Sequence, residues 1–188
     1  TILAVSSESL VKRILEQLDE NTVSQICART IAQGVSISAI PLSFMNLSKT
    51  SEELLTVLED KIGTPEWIQL LRTLGSFADL LSMLHRMSSS GARSLIDELD
   101  DALLDDLILR NLSGEQSIGS LPLWVKRIGA QSLDNLMKLE DKIGAKRMSQ
   151  VLMTLGDIQV LSVTLQQVTP RFRSRLWNEV KAQVDQMP

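Results

Sequence analysis

One histidine and one cysteine limit the chemistry open to this chain. A hydrolytic site needs a base held beside a nucleophile, and only His85 could supply an imidazole. It lies between Leu84 and Arg86 in a leucine-rich stretch, which reads as a half-exposed structural histidine. A zinc site needs several Cys and His ligands, and Cys27, next to Ile26 on an apolar stripe, reads as a small buried hydrophobe. Carboxylates are the third source of chemistry. Asp97, Glu98, Asp100, Asp101, Asp105 and Asp106 crowd one segment, and acids four apart share a helix face that could hold a divalent cation. The segment lacks paired histidines and the ligand-rich loop of an EF-hand. Gly63, Gly75, Gly144 and Gly156 stand singly as helix stops rather than as a phosphate-binding loop. The expectation is a protein that is not an enzyme and uses no cofactor or metal.

Basic chemistry gathers near the other end. Arg171, Phe172, Arg173, Arg175 and Trp177 interleave cations with aromatics, and Lys181 follows. Such a stripe can bind nucleic acid, but the chain carries a net charge of −4, and Phe172 with Trp177 reads better as an anchor of the last helix to the core. No nucleic-acid partner is expected. Residues 1–125 hold 9 Lys/Arg against 17 Asp/Glu, whereas residues 126–188 hold 10 against 6. That asymmetry can steer head-to-tail association or a charged partner, and it fits two solvated helix faces equally well. The candidate partner-binding residues are Arg171, Arg173 and Arg175 on one side and Asp97, Asp101 and Asp105 on the other.

The elements that carry these residues follow from a repeat. Leu58-Glu59-Asp60-Lys61-Ile62-Gly63 recurs unchanged as Leu139-Glu140-Asp141-Lys142-Ile143-Gly144. With the same offset of 81, Gln69, Leu71, Thr73, Leu74, Gly75, Leu80, Leu84, Leu95 and Glu98 also meet identical residues. A repeat of this length marks an array of stacked units. Apolar residues lie at helical spacing nearly throughout, and no stretch alternates with period two for long enough to predict a strand. Ser51 and Thr64-Pro65-Glu66 read as capped helix starts. Gly75-Ser76 and Gly156-Asp157 read as a stop followed at once by a cap. Leu95, Ile96 and Leu99 are expected to open one long helix reaching Leu112, and Trp67 and Trp124 to open helices as packing anchors or interface hot spots. A fainter third copy is read at an offset of 69, with Ser7 on Ser76, Leu15 on Leu84, Leu18 on Met87 and Ile26 on Leu95. The predicted organisation is an N-terminal hairpin over 1–33, a linker over 34–50, a repeat unit over 51–112, a linker over 113–121 and a second unit over 122–188.

Composition agrees with a helical class. Apolar residues make up 44 % of 188, aromatics only 3 %, and tyrosine is missing. Apolar runs fall far short of the roughly 20 residues that span a bilayer, so no direct membrane insertion is expected. A single cysteine fits a reducing compartment, which points to the cytoplasm. Thr1 in place of Met reads as a fragment or trimmed chain, and no charged-then-apolar leader opens it.

The residues then resemble a known family. In RMSQVLMTLGDIQVLSVTLQQVTPRFRSRLWNEV, residues 147–180, an Arg-x-x-Gln-x-Leu helix is followed by Asp-x-Gln, a leucine-rich helix, a capped turn and a returning helix with an arginine. The matching positions are Arg147, Gln150, Leu152, Asp157, Gln159, Leu161, Leu165, Thr169 and Arg173. This is similar to the C-terminal part of the flagellar motor-switch protein FliG family. SSESLVKRILEQLDENTVSQICARTIA near the start is similar to that family's first hairpin, through Leu15, Leu18, Asp19, Glu20 and Ile26. Together with the 64–100 hairpin, about half of the chain is touched by the resemblance. The Glu-His-Pro-Gln-like motif of the family's middle domain is missing, and no torque role is carried over to any residue.

The resemblance implies an all-α fold of stacked helical hairpins, an armadillo/HEAT-like right-handed superhelix. It implies a non-enzymatic rotor-ring scaffold whose partners are the cytoplasmic tail of a membrane-ring protein, other rotor subunits or further copies of the chain. The location it implies is cytoplasmic, peripheral at the inner face of the cell membrane. The alternative is a soluble regulatory or adaptor domain of a membrane-associated assembly. The cytoplasmic N-terminal domain of magnesium-channel proteins shares this hairpin grammar.

Overall fold

The computed structural model describes residue 13 and residues 16–33, 52–114 and 118–186. Every regular element among them is a helix: α1 (Glu20–Ala32), α2 (Glu52–Ile62), α3 (Thr64–Leu74), α4 (Phe77–Leu84), α5 (Ser89–Glu98), α6 (Asp101–Ser113), α7 (Leu121–Gln131), α8 (Leu133–Leu155), α9 (Ile158–Gln167) and α10 (Pro170–Val184). The 34–50 linker predicted from the sequence lies outside the described residues, as do Ser7, Leu15 and Ser51.

The duplicated hexapeptide shapes both copies in the same way. Gly63 has φ 79° and ψ 151°, and Gly144 has φ 75° and ψ 151°, a left-handed region that residues with a Cβ rarely adopt. Each glycine therefore breaks the chain between two nearly continuous helices: α2 and α3 in the first copy, the two halves of α8 in the second. Thr64 does not cap α3, as its type and spacing suggest. Gly63 holds the N-cap position, with no side-chain hydrogen bond there, and Thr64 already belongs to the first turn. Gly75 and Gly156 then end α3 and α8 in extended conformations. Ser76 and Asp157 cap the following helices by accepting from the Asp79 and Val160 N–H groups.

The apolar period predicts a single helix across α5 and α6. The chain instead leaves the helix at Leu99 (φ −64°, ψ 121°), and Asp100 caps α6 by accepting from the Leu103 N–H at 2.7 Å. An apolar period can run on across such a break, but an acid that can accept from the backbone three residues later favours a new start. Across the expected 113–121 linker, α6 runs through Ser113, Ile118 is buried and α7 begins at Leu121.

The third copy belongs at 81, not 69. Asp19 accepts from the Thr22 N–H at 2.6 Å, as Asp100 does from Leu103, so Leu18-Asp19 stands on Leu99-Asp100 and α1 stands on α6. Ile26 thereby falls on Leu107 instead of Leu95. In the sequence, Ser36-Ile37 and Pro41-Leu42 also meet identical residues, Ser117-Ile118 and Pro122-Leu123, at this offset.

The copies share one hydrophobic core reaching from Trp67 to Val180, built chiefly from leucine. The helices α3, α4 and α5 pack beneath α6, α7 and α8. Losing a fully buried leucine such as Leu71, Leu80 or Leu95 would cost about 2–5 kcal/mol.

Candidate protein-docking surface

The buried carboxylates come first, because they set where the hairpins end. Glu59 accepts from the Ser88 N–H at 2.8 Å through Oε1 and from the Ser88 hydroxyl through Oε2. Glu140 makes the same pair of bonds to the Thr169 N–H, at 2.8 Å, and to its hydroxyl. Ser88 and Thr169 are in turn the N-caps of α5 and α10. One carboxylate in each copy thus fixes the start of a helix 29 residues later. Burial pushes both carboxyl groups above the usual range, against the hydrogen bonds that favour the charged form. Both residues lie within the exact repeat, and each is followed at the same distance by a Ser or Thr. That shared spacing is the one signal in the sequence that could have joined them, and sequence reasoning missed it.

The lysine of the same hexapeptide holds the preceding unit. Lys142 Nζ donates to the carbonyl oxygens of Asp97, at 2.9 Å, and Leu99, at 2.7 Å. Lys61 Nζ donates to the Leu18 carbonyl at 2.8 Å. A cation on the final carbonyls of a helix satisfies acceptors that have no partner within that helix.

The acidic candidates are occupied within the chain. Asp97 pairs with Lys138 at 2.6 Å, and Asp100 with Arg72 at 2.7 Å. Asp101 and Asp105 both grip Arg147, at 2.9 and 2.6 Å, and Asp106 pairs with Arg110. The Lys138 hydrogen bond holds Asp97 below the usual carboxylate range, and Arg147 does the same for Asp105. For Asp100 the Leu103 N–H is the larger cause, ahead of Arg72. The two acids that share a helix face as a possible cation site therefore clamp a guanidinium. Between helices, these pairs tie α3 to the start of α6 and tie α5 and α6 to α8.

The basic candidates are divided. Arg175 reaches Asp141 at 3.1 Å and lies over the Phe172 ring. Arg173 donates to the Gln166 and Val168 carbonyls. Arg171 is exposed. Phe172 is a core residue, as read from the sequence, but Trp177 is not: its ring lies at the surface beneath Lys181 Nζ, 5.5 Å from the ring centre. Trp67 is buried and Trp124 half-buried against the core.

His85 is buried rather than half-exposed. Its Nδ1 meets the Leu81 carbonyl at 3.2 Å, and its Nε2 faces Arg86 Nε at 3.2 Å and Arg127 Nη1 at 3.3 Å. Burial, aided by the two guanidinium groups, lowers its pKa to about 4. The ring is neutral at pH 7, donating through Nδ1 and accepting at Nε2, so both nitrogens are engaged.

What remains open is the far end of the second copy. In the first copy Phe77 and Ile96 are both 0 % exposed, and the residues 81 positions on, Ile158 and Trp177, are 81 % and 44 % exposed. The first copy is covered by α6 and α7 of the second, and the described residues place no such cover on α9 and the outer face of α10. A shallow groove of about 460 Å³ runs beside α9 between Pro122, Leu123 and Lys126 on one wall and Val160, Val163 and Gln167 on the other. Two further grooves, of about 750 and 690 Å³, lie at equivalent positions of the copies. One is lined by Pro65, Gln69, Asp97 and Glu98, the other by Lys146, Gln150, Asn178 and Glu179.

Fold and surface together define an all-helical tandem-repeat protein. No protein-family model, curated protein or solved structure matches the chain. No helix among the described residues is long and apolar enough to cross a membrane.

Proposed function

We propose that this chain is a non-enzymatic scaffold that works through protein–protein contacts, of the flagellar motor-switch kind. In this reading its hairpins stack as an armadillo/HEAT-like right-handed superhelix on the cytoplasmic side of a membrane assembly. The observation that carries the reading is the end of the second copy, uncovered among the described residues, where Ile158 and Trp177 stand exposed at positions whose first-copy counterparts, Phe77 and Ile96, are core. Such a face suits a helix laid into a groove, with apolar anchors at three- and four-residue spacing. The resemblance of residues 147–180 to the motor-switch family falls on the same segment.

The test is titration of the chain with the cytoplasmic C-terminal tail of a flagellar membrane-ring protein, followed by calorimetry and light scattering. Saturable binding at a defined stoichiometry supports the rotor reading. No binding transfers the surface to the adaptor reading, with a different membrane-associated partner.

A further inference from the structure

One turn of the molecule gathers positive charge that no acid among the described residues offsets. His85 ends α4, and the turn behind it is pinned by α7 and α8. Gln131 Nε2 donates to the His85 carbonyl at 2.9 Å, and Asn135 Nδ2 to the Ser89 carbonyl at 2.8 Å. The His85 ring is buried and its Nδ1 donates to the Leu81 carbonyl, which leaves a single lone pair, on Nε2. Two guanidinium groups converge on that lone pair, Arg86 through Nε at 3.2 Å and Arg127 through Nη1 at 3.3 Å. One imidazole nitrogen cannot satisfy both.

The other donors of the two groups are unspent. A guanidinium carries five N–H donors, and among the described residues neither Arg86 nor Arg127 donates to a further acceptor or pairs with a carboxylate. Other arginines that reach between helices are neutralised: Arg72 by Asp100, Arg147 by Asp101 and Asp105, and Arg175 by Asp141. Burial first, and then the charge of Arg127, pull the Arg86 pKa below its ordinary value. The repeat does not require this arrangement. At the positions 81 residues on, Gln166 and Gln167 stand for His85 and Arg86, while the helix cap persists as Thr169 for Ser88. The second copy makes the same turn without the cations.

We infer that Arg86 and Arg127 form an anion site that takes a phosphate group, between the α4–α5 turn and α7. A dianion offsets both positive charges at once, and its oxygens accept short charge-assisted bonds from both guanidinium forks. Arg86 is half-buried and Arg127 exposed, so the group is reached from solvent. The pinned turn holds Arg86 in place beforehand, which lowers the ordering cost of binding. The charged groups that face the His85 ring are Arg86 on its own turn and Arg127 on α7. Negative charge brought between them favours the protonated ring, whose Nε2 then donates to the anion, so occupancy raises the His85 pKa.

Inorganic phosphate is titrated into the full chain at constant ionic strength, with chloride as the balancing anion, and the His85 ring protons are followed by NMR. Expected are saturable shifts, and a His85 titration midpoint about one pH unit higher in saturating phosphate than in chloride. Binding should be at least about ten-fold weaker in Arg86→Gln and in Arg127→Gln, and unchanged in Arg171→Gln, which removes an exposed arginine elsewhere. Far-UV circular dichroism checks the fold, and the exposed Arg127 keeps the test valid should Arg86→Gln lose helicity. Sedimentation with phosphatidylcholine vesicles, with and without phosphatidic acid, separates the sources of the group. Capture on the phosphatidic acid vesicles that both variants lose assigns a lipid headgroup, and saturable binding in solution alone assigns free phosphate. No binding in either arm overturns the inference. So does binding that both substitutions leave within about two-fold of the wild type, or that Arg171→Gln weakens equally.

Discussion

Replacing Glu59 by alanine tests the duplicated clasp at its centre. The carboxylate accepts two hydrogen bonds, from the Ser88 N–H and hydroxyl, and bonds to a charged group contribute about 1.5–3 kcal/mol each. Burial of the carboxylate, which pushes its pKa up, offsets part of that gain, and alanine also leaves the buried Ser88 N–H without its acceptor. The net loss is expected to be about 3 kcal/mol, larger than the roughly 1 kcal/mol typical of losing an N-cap hydroxyl, as in Ser88→Ala. Urea unfolding followed by far-UV circular dichroism measures both, and the double mutant Glu59→Ala/Ser88→Ala should show a coupling of at least about 1 kcal/mol. Glu140→Ala with Thr169→Ala should repeat the result, since its bonds are the same. The sign of the pH dependence follows from the raised pKa. Folded Glu59 and Glu140 hold protons that their unfolded counterparts have released, so stability falls as pH rises from the ordinary glutamate range through the higher folded value. Glu59→Gln should flatten this slope. A Glu59→Ala loss under about 0.5 kcal/mol, or no coupling to Ser88, would refute the clasp.

Three further outcomes follow from single sites. Thr164 is fully buried with a hydroxyl that has no hydrogen-bond partner among the described residues, so Thr164→Val should stabilise the fold by about 1 kcal/mol, read as a raised midpoint in thermal unfolding. Gly144 holds φ 75°, and a Cβ placed there would meet nothing within 4 Å, so Gly144→Ala should destabilise by about 1–2 kcal/mol through backbone strain alone, measured in urea. His85, with its pKa lowered to about 4, should keep a constant ring-proton shift by NMR from pH 8 to about 5. Because the unfolded ring binds its proton first, this residue makes stability fall as pH drops from about 6.5 towards 4.

The helical class was readable because leucine spacing and glycine stops are local. So was the second copy, through its identical hexapeptide. The register of the N-terminal copy was missed in favour of apolar matches at an offset of 69, although Leu18-Asp19, Ser36-Ile37 and Pro41-Leu42 recur identically at 81. The structure agrees with 81, since Asp19 and Asp100 each accept from a backbone N–H three residues on. The split between α5 and α6 was hidden for the same reason, as Leu99 and Leu103 continue an apolar period across the break. The candidate charges were visible as types, but their pairing was not. Arg147 lies more than 40 residues from Asp101 and Asp105 in sequence, and only the packing of α8 on α6 brings them together. The uncovered end was least visible of all, because Ile158 and Trp177 are apolar residues at the same register as core residues of the first copy.

Hydroxyl-radical footprinting of the side chains, on the chain alone and in a saturated complex with its partner, tests the docking surface most directly. Protection concentrated at Ile158, Leu161, Trp177 and Val184, with Leu109 and Met137 unchanged, is the expected result. A saturated complex that leaves α9 and the outer face of α10 as reactive as in the free chain would contradict the assignment of this surface as the place where the protein meets its partners.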